Sequence, residues 1–197
     1  MKNYIILSVS IGILFSNYLN AQSNDFRINI MGNHSILGDF MDLRTQFYQS
    51  SLTYQVDRFT EISLAIGLLR DKQAYHPYDY QRLPHHIYLV PLDLSLLLVP
   101  MNVKGFSIHL GGGFSLRHRN SELVLAASQS YPGSGEPDPI KILNTDEYEG
   151  WDTGYNIITC LQYQPFDHWS VSAQMFLQSY DKGTGVASFG GGIGYHF

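Results

Sequence analysis

The side chains best able to do chemistry here are histidines, serines and carboxylates, and their spacing does not assemble a catalytic centre. The stretch RHRNSEL puts His118, Ser121 and Glu122 close together. A nucleophilic serine needs its base within hydrogen-bond reach, and here the two are three residues apart at the start of a predicted loop. GNHSIL makes His34 and Ser35 neighbours, which point to opposite sides of an extended chain. His85 and His86, in AYHPYDYQRLPHH, diverge for the same reason, which weakens a metal reading. NTDEYEGWD supplies Asp146, Glu147, Glu149 and Asp152, in a spacing unlike an EF-hand loop. Such acidic runs are ordinarily solvated loops. The glycine runs Gly111–Gly113 and Gly190–Gly192 lack the following helix that a phosphate-binding loop requires. The sequence therefore assigns no catalytic residue, no cofactor and no metal ligands.

The elements that must carry these residues are strands. The first 21 residues read as a leader: Lys2, an apolar core from Tyr4 to Phe15, then Ala21 before QSND. Residues 22–197 are expected to form one domain. With 12 Lys+Arg against 17 Asp+Glu the chain carries a formal charge of −5, which argues against nucleic acid as a partner. Cys160, the single cysteine, has no partner for an internal disulfide. No stretch after the leader is apolar enough for a spanning helix, since IYLVPLDLSLLLVP is interrupted by Pro91, Asp93 and Ser95.

From Phe26 onward the period is two. Ile62, Leu64, Ile66 and Leu68 fall on one face, with Glu61, Ser63, Ala65 and Gly67 on the other. Runs of the same kind cover about 25–33, 47–57, 86–99, 106–117, 151–164, 169–180 and the last ten residues. Short turns near 57–58, 100–104 and 165–168 alternate with links at about 34–46, 70–85, 118–150 and 181–186. Eight strands with short turns on one side and long links on the other are the plan of a transmembrane barrel with both termini on the short-turn side. A sheet in lipid must close, because an open edge leaves backbone groups unpaired.

Period two alone does not say which face is inside. One face carries Arg27, Asn29, Gln49, Gln55, Glu61, Asp93, His109, Arg117, Gln162, Gln174 and Gln178. The other is bulky and almost uncharged. The polar face is too poor in charge for a soluble surface but suits a narrow lumen. Within it Arg27, Glu61, Asp93, His109 and Arg117 are expected to form a polar network whose buried charges pair. Phe26, Tyr48, Phe106, Trp151, Tyr163, Trp169, Tyr195 and Phe197 fall near strand ends on the apolar face, where interfacial girdles belong.

The leader ending NAQ, the strand pair YLVPLDLSLLL and FSIHLGGGFSLR, and the closing GGIGYHF resemble the small eight-stranded outer-membrane β-barrels of Gram-negative bacteria. These are the OmpA/OmpX-like group and the outer membrane beta-barrel domain proteins common in Bacteroidetes. The resemblance implies an all-β, antiparallel up-and-down transmembrane barrel in the cell outer membrane. It also implies that Phe189, Ile193, Tyr195 and Phe197 form an assembly signal for the barrel-assembly machinery.

Three functions are compatible with this reading. The first is a non-enzymatic barrel that contacts outer-membrane lipid and lipopolysaccharide and offers loops 70–85 and 118–150 to an extracellular ligand. The second is a lipid-modifying hydrolase similar to the lipid A deacylases, whose His-x-Ser-Asn signature is not matched by His118 and Ser121. The third is a narrow channel, or an accessory subunit of an envelope complex.

Overall fold

The alternation described above produces eight strands. The computed structural model describes residues 26–37, 43–73, 85–129, 139–182 and 185–197. The leader at 1–21 lies outside these residues. The strands are β1 (Phe26–Leu37), β2 (Leu43–Asp57), β3 (Thr60–Gln73), β4 (His85–Val103), β5 (Phe106–Ser128), β6 (Lys141–Phe166), β7 (Trp169–Tyr180) and β8 (Val186–His196). Each pairs antiparallel with the next, and β8 pairs with β1, so the sheet is a closed up-and-down barrel.

The three tight turns lie at one end, together with the start of β1 and the close of β8. Between β4 and β5 the turn is Lys104–Gly105, both with positive φ (51° and 79°). That geometry matches the right-handed twist of the flanking strands. It also brings Gly105 so close to β6 that a Cβ there would lie 2.7 Å from the Gln164 carbonyl oxygen. The turn is two residues, and not the 100–104 segment expected, because β4 continues through a register shift between Leu98 and Met101.

Polarity is inverted relative to a soluble barrel. Leu64, Leu94, Leu96, Leu98, Phe114 and Ile193 stand outward, each more than half exposed. On β4 the outward row runs from Leu98 to Tyr88, about 33 Å along the strand, or about 25 Å along the axis at a tilt of roughly 40°. That is the height of the hydrocarbon layer. Tyr48, Trp151 and Tyr155 lie toward one border of the outward face. Phe106, Tyr163 and Trp169 lie toward the other.

The lumen holds more apolar volume than the sequence suggested. Leu37, Phe47, Leu69, Ile87, Leu89, Leu97, Ile158, Phe176 and Val186 form one buried cluster, with the rings of Phe47 and Phe176 stacked at 6.1 Å. Gly67 makes room for it, since a Cβ there would meet the Phe47 ring at 2.3 Å and Pro91 at 2.9 Å. On β8, with Val186 and Ser188 inward at one end and His196 at the other, the middle inward positions are Gly190, Gly192 and Gly194. Side chains there would strike Gly32 and Asn33, Ile30 and Met31, and Asn29 and Ser170, respectively.

The link expected at 118–150 is mostly paired strand. β5 runs to Ser128 and β6 begins at Lys141, with continuous pairing apart from shifts near Val124–Ala127. Beyond the membrane both faces of a ribbon meet water, so alternation fades while backbone pairing continues. β1 and β3 extend into their expected links in the same way, and residues 74–84 of the 70–85 link lie outside those described.

Candidate functional site

The polar residues of the lumen gather into three separate groups. At the short-turn end Arg27 of β1 reaches Glu61 of β3, with Nη2 to Oε2 at 2.9 Å and Nη1 to Oε1 at 3.4 Å. His109 of β5 joins them, Nδ1 lying 3.0 Å from Glu61 Oε2. Its Nε2 lies 2.8 Å from the Ser107 hydroxyl. A carboxylate only accepts, so Nδ1 carries the proton; in the neutral ring Nε2 accepts from Ser107, and in the imidazolium it donates to the Ser107 oxygen. Ser107 and His109 are two residues apart on one strand, so their side chains share a face.

Beside this group is a cavity of about 190 Å³, open toward the short turns. Arg27, Glu61, His109, Gln162 and His196 lie on its lining, along with residues of the three turns. Gln162 Nε2 and Ser170 Oγ both approach His196 Nε2, at 3.3 and 3.1 Å. A smaller void of about 30 Å³ lies deeper, lined by Asn29, Met31, Gln49, Leu97 and Ile158 among others. Leu97 and Ile158 belong to the apolar cluster, which closes the polar region from the far side.

The second group surrounds Asp93. Ser115 and Gln178 donate to it, the latter at 2.9 and 3.1 Å, and Asn156 Nδ2 lies at 3.4 Å. Ser95 in turn donates to Asn156 Oδ1 at 2.9 Å. Neutral donors hold this carboxylate, and Arg117 is not among its partners in the described residues.

Arg117 instead anchors the third group. Its Nη2 and Nε approach Asp152 Oδ2 at 2.7 and 3.2 Å, and both side chains are fully buried. Arg117 also donates to the Lys182 carbonyl at 3.1 Å and lies over the Tyr180 ring at 3.7 Å. Tyr148 donates to Asp152 Oδ1 at 2.7 Å, while Arg119 covers the Tyr148 ring at 3.9 Å. Tyr148 is half-buried beyond the Trp151 girdle, and its bond to Asp152 raises the phenol above its ordinary range.

Asp152 was read from sequence as one of four acidic loop residues. The structure separates them: Asp152 points inward to Arg117, whereas Glu147 and Glu149 share the outward face with Trp151. The signal was present, since the neighbour of an outward Trp151 on an extended strand must point in.

The other sequence candidates do not meet. His118 faces outward, edge-on to Trp151 at 5.1 Å, while Ser121 is buried on the inner side. Ser35 is inside, bonded to Ser188 at 2.9 Å, and His34 is outside. His85 turns inward to Asp71 at 2.9 Å, whereas His86 faces out. Among the described residues no cluster of three or more histidine, cysteine or acidic side chains is placed to hold a metal. Sequence reasoning placed Glu61 and His109 in one network but missed Ser107, although its spacing of two from His109 puts both on one face of a strand.

No protein-family profile matches the chain, and no curated protein matches it. Solved structures do. It is similar to neisserial surface protein A, with a TM-score of 0.61 at 12% identity over 89% of this chain and 98% of that one. Ail, the attachment invasion locus protein of Yersinia pestis, aligns with a TM-score of 0.57 at 12% identity, covering 88% and 98%. OprG, an outer membrane protein of Pseudomonas aeruginosa, gives 0.56 at 11% identity, covering 88% and 96%. None of these three is named for an enzymatic activity. At such identities the likeness is one of fold, and the fold is that of the small eight-stranded outer-membrane β-barrels.

Proposed function

We propose that the protein is a non-enzymatic integral barrel of the outer membrane that presents its long-loop end to the cell exterior, in a role of envelope integrity or surface interaction. The observation that carries this is the inverted barrel with a filled lumen: lipid-facing leucines outside, and paired ions plus an apolar cluster inside. The cluster spans the lumen and disfavours the narrow-channel reading. Outer-membrane lipid is then the immediate partner, and the outward row Phe189, Ile193, Tyr195 and Phe197 is the surface offered to the barrel-assembly machinery.

The recognition elements are the β5–β6 ribbon and the 70–85 link. β7 stops pairing with β6 at Gly154, where Asp181 closes the ladder by accepting from the Thr153 amide at 3.0 Å. Above that point the edge of β6, which pairs with no strand among the described residues, carries Asp146, Glu147 and Glu149, which suits a cationic extended segment. The test is protease treatment of intact cells. Cleavage confined to residues 129–140 or 74–84 is expected, and cleavage seen only after lysis overturns the orientation. Planar-bilayer recordings are expected to be silent; steady single-channel steps would restore the channel.

One observation favours a second reading. Ser107, His109 and Glu61 form a nucleophile–base–carboxylate chain beside an open cavity, the order of groups that hydrolases use. Glu61 and His109 are also accounted for as lumen partners of Arg27 and Ser107, so the structural role ranks first. Ser107→Ala decides it: a lipid A acyl profile and a small-ester hydrolysis rate that do not change leave the barrel non-enzymatic, and loss of a measurable rate makes it a hydrolase.

A further inference from the structure

The outward face changes chemistry along one line across β3, β4, β5 and β6. Arg70, Tyr88, Asn120 and Glu149 are successive cross-strand partners. Two residues further out, Lys72, His86, Glu122 and Glu147 form the next row. Immediately toward the membrane lie Leu68 and Val90, with Leu64, Ile66, Leu92 and Leu94 below them. Cross-strand neighbours on one face stand about 5 Å apart and successive rows about 7 Å. Long side chains from both rows can therefore reach one point.

Cations gather at one end of these rows. Arg70 and Lys72 are exposed, and His86 and Tyr88 are half-buried beside them. Asp71, between the two cations in sequence, points the other way and is held by His85 at 2.9 Å. Among the described residues neither Arg70 nor Lys72 has an ion-pair partner. Glu122, Glu147 and Glu149 lie at the other end, on β5 and β6. An anion is thus drawn to the β3–β4 side and repelled from the ribbon.

We propose that Arg70, Lys72 and His86, with the Tyr88 hydroxyl, form a site on the outer wall of the barrel for the phosphate headgroup of an anionic lipid in the outer leaflet. The site rests on the outer-membrane reading above. Arg70 offers paired N–H donors to a phosphate, and Lys72 adds a compact charge. The acyl chains lie over Ile66, Leu68, Val90 and Leu92, which continue the apolar band without a break. That continuity selects a lipid over a free anion, because a soluble phosphate gains nothing from the band.

The experiment uses the protein folded into phosphatidylcholine vesicles containing bis-phosphorylated lipid A, dephosphorylated lipid A, or neither. Lipid retained after gentle extraction is counted by native mass spectrometry, and a heat-modifiable gel shift reports folding. Wild type is expected to keep phosphorylated lipid A in preference to the dephosphorylated form. The R70Q/K72Q variant is expected to retain about tenfold less, while K104Q/K141Q, which removes the same charge elsewhere, retains as much as wild type. If R70Q/K72Q does not fold, H86Q is read instead, with an expected loss of about threefold. Equal retention by the patch variant, no preference for the phosphorylated lipid, or displacement by millimolar inorganic phosphate each overturns the lipid site while leaving the barrel reading intact. Failure of wild type to insert into any vesicle overturns both.

Discussion

Arg27–Glu61 and Arg117–Asp152 are both inward-facing ion pairs, the first reaching from β1 to β3 across the lumen and the second joining the neighbouring strands β5 and β6, closed at 2.9 and 2.7 Å. Their surroundings differ. Arg117 and Asp152 are wholly out of solvent, and the remaining valences are filled by the Lys182 carbonyl, the Tyr148 hydroxyl and the face of Tyr180. Arg27 and Glu61 border the 190 Å³ cavity, and Arg27 Nε has no hydrogen-bond partner among the described residues. A buried pair repays its desolvation only when the leftover groups are also satisfied. The pair below the ribbon meets that condition and acts as a fixed peg. The pair at the short-turn end lies beside space that admits water, and its Glu61 is shared with a histidine.

Breaking each pair tests this difference. Asp152→Ala removes the carboxylate that neutralises a fully buried guanidinium and is expected to cost about 3–5 kcal/mol, read as a shift in urea denaturation of the vesicle-inserted protein. Glu61→Gln is expected to cost less, roughly 1–3 kcal/mol, because water in the cavity can reach Arg27. Equal losses in the two variants would erase the distinction. Tyr148→Phe removes one donor from Asp152 at a half-buried position, with an expected loss of about 1 kcal/mol.

The smallest effect is spectroscopic. The folded-state pKa of Tyr148 is raised, with its hydrogen bond to Asp152 as the leading cause. The bond between phenol and carboxylate is therefore complete below the ordinary tyrosine range and is lost as pH rises through the raised value. Difference titration of wild type minus Y148F should show this phenol ionising late, and Asp152→Asn should return it toward the ordinary range. A late titration that survives Asp152→Asn would detach Tyr148 from the peg.

Period two was enough to read the wall of the barrel. The row Ile62, Leu64, Ile66, Leu68 specifies its face in sequence alone, because lipid selects a predominantly apolar outward row. The lumen makes no such uniform demand. Phe47, Leu69, Leu89 and Phe176 are inward by parity, yet whether they touch depends on register between strands far apart in the chain, and on Gly67 leaving space for Phe47. Glu61 meets His109 for the same non-local reason. The ribbon was illegible in a third way, since alternation in SELVLAAS and NTDEYEG disappears where both faces are wet. Asp152 was legible through its neighbour Trp151, and only the company of three other acids drew it toward the loop.

The glycine row of β8 bears on how the ring is completed. β1 and β8 are separated by nearly the whole chain, and bringing such distant segments together is the costliest closure in the molecule and a slow one. Every other seam carries interior side chains that must find their packing as the strands meet. Along Gly190, Gly192 and Gly194 there are none, so Asn29, Met31 and Asn33 can settle against the rest of the lumen before the last ladder forms. Along that stretch joining β8 to β1 is a matter of aligning amides with carbonyls, which leaves the interior contacts of the seam to its two ends, Val186 and Ser188 at one and His196 at the other.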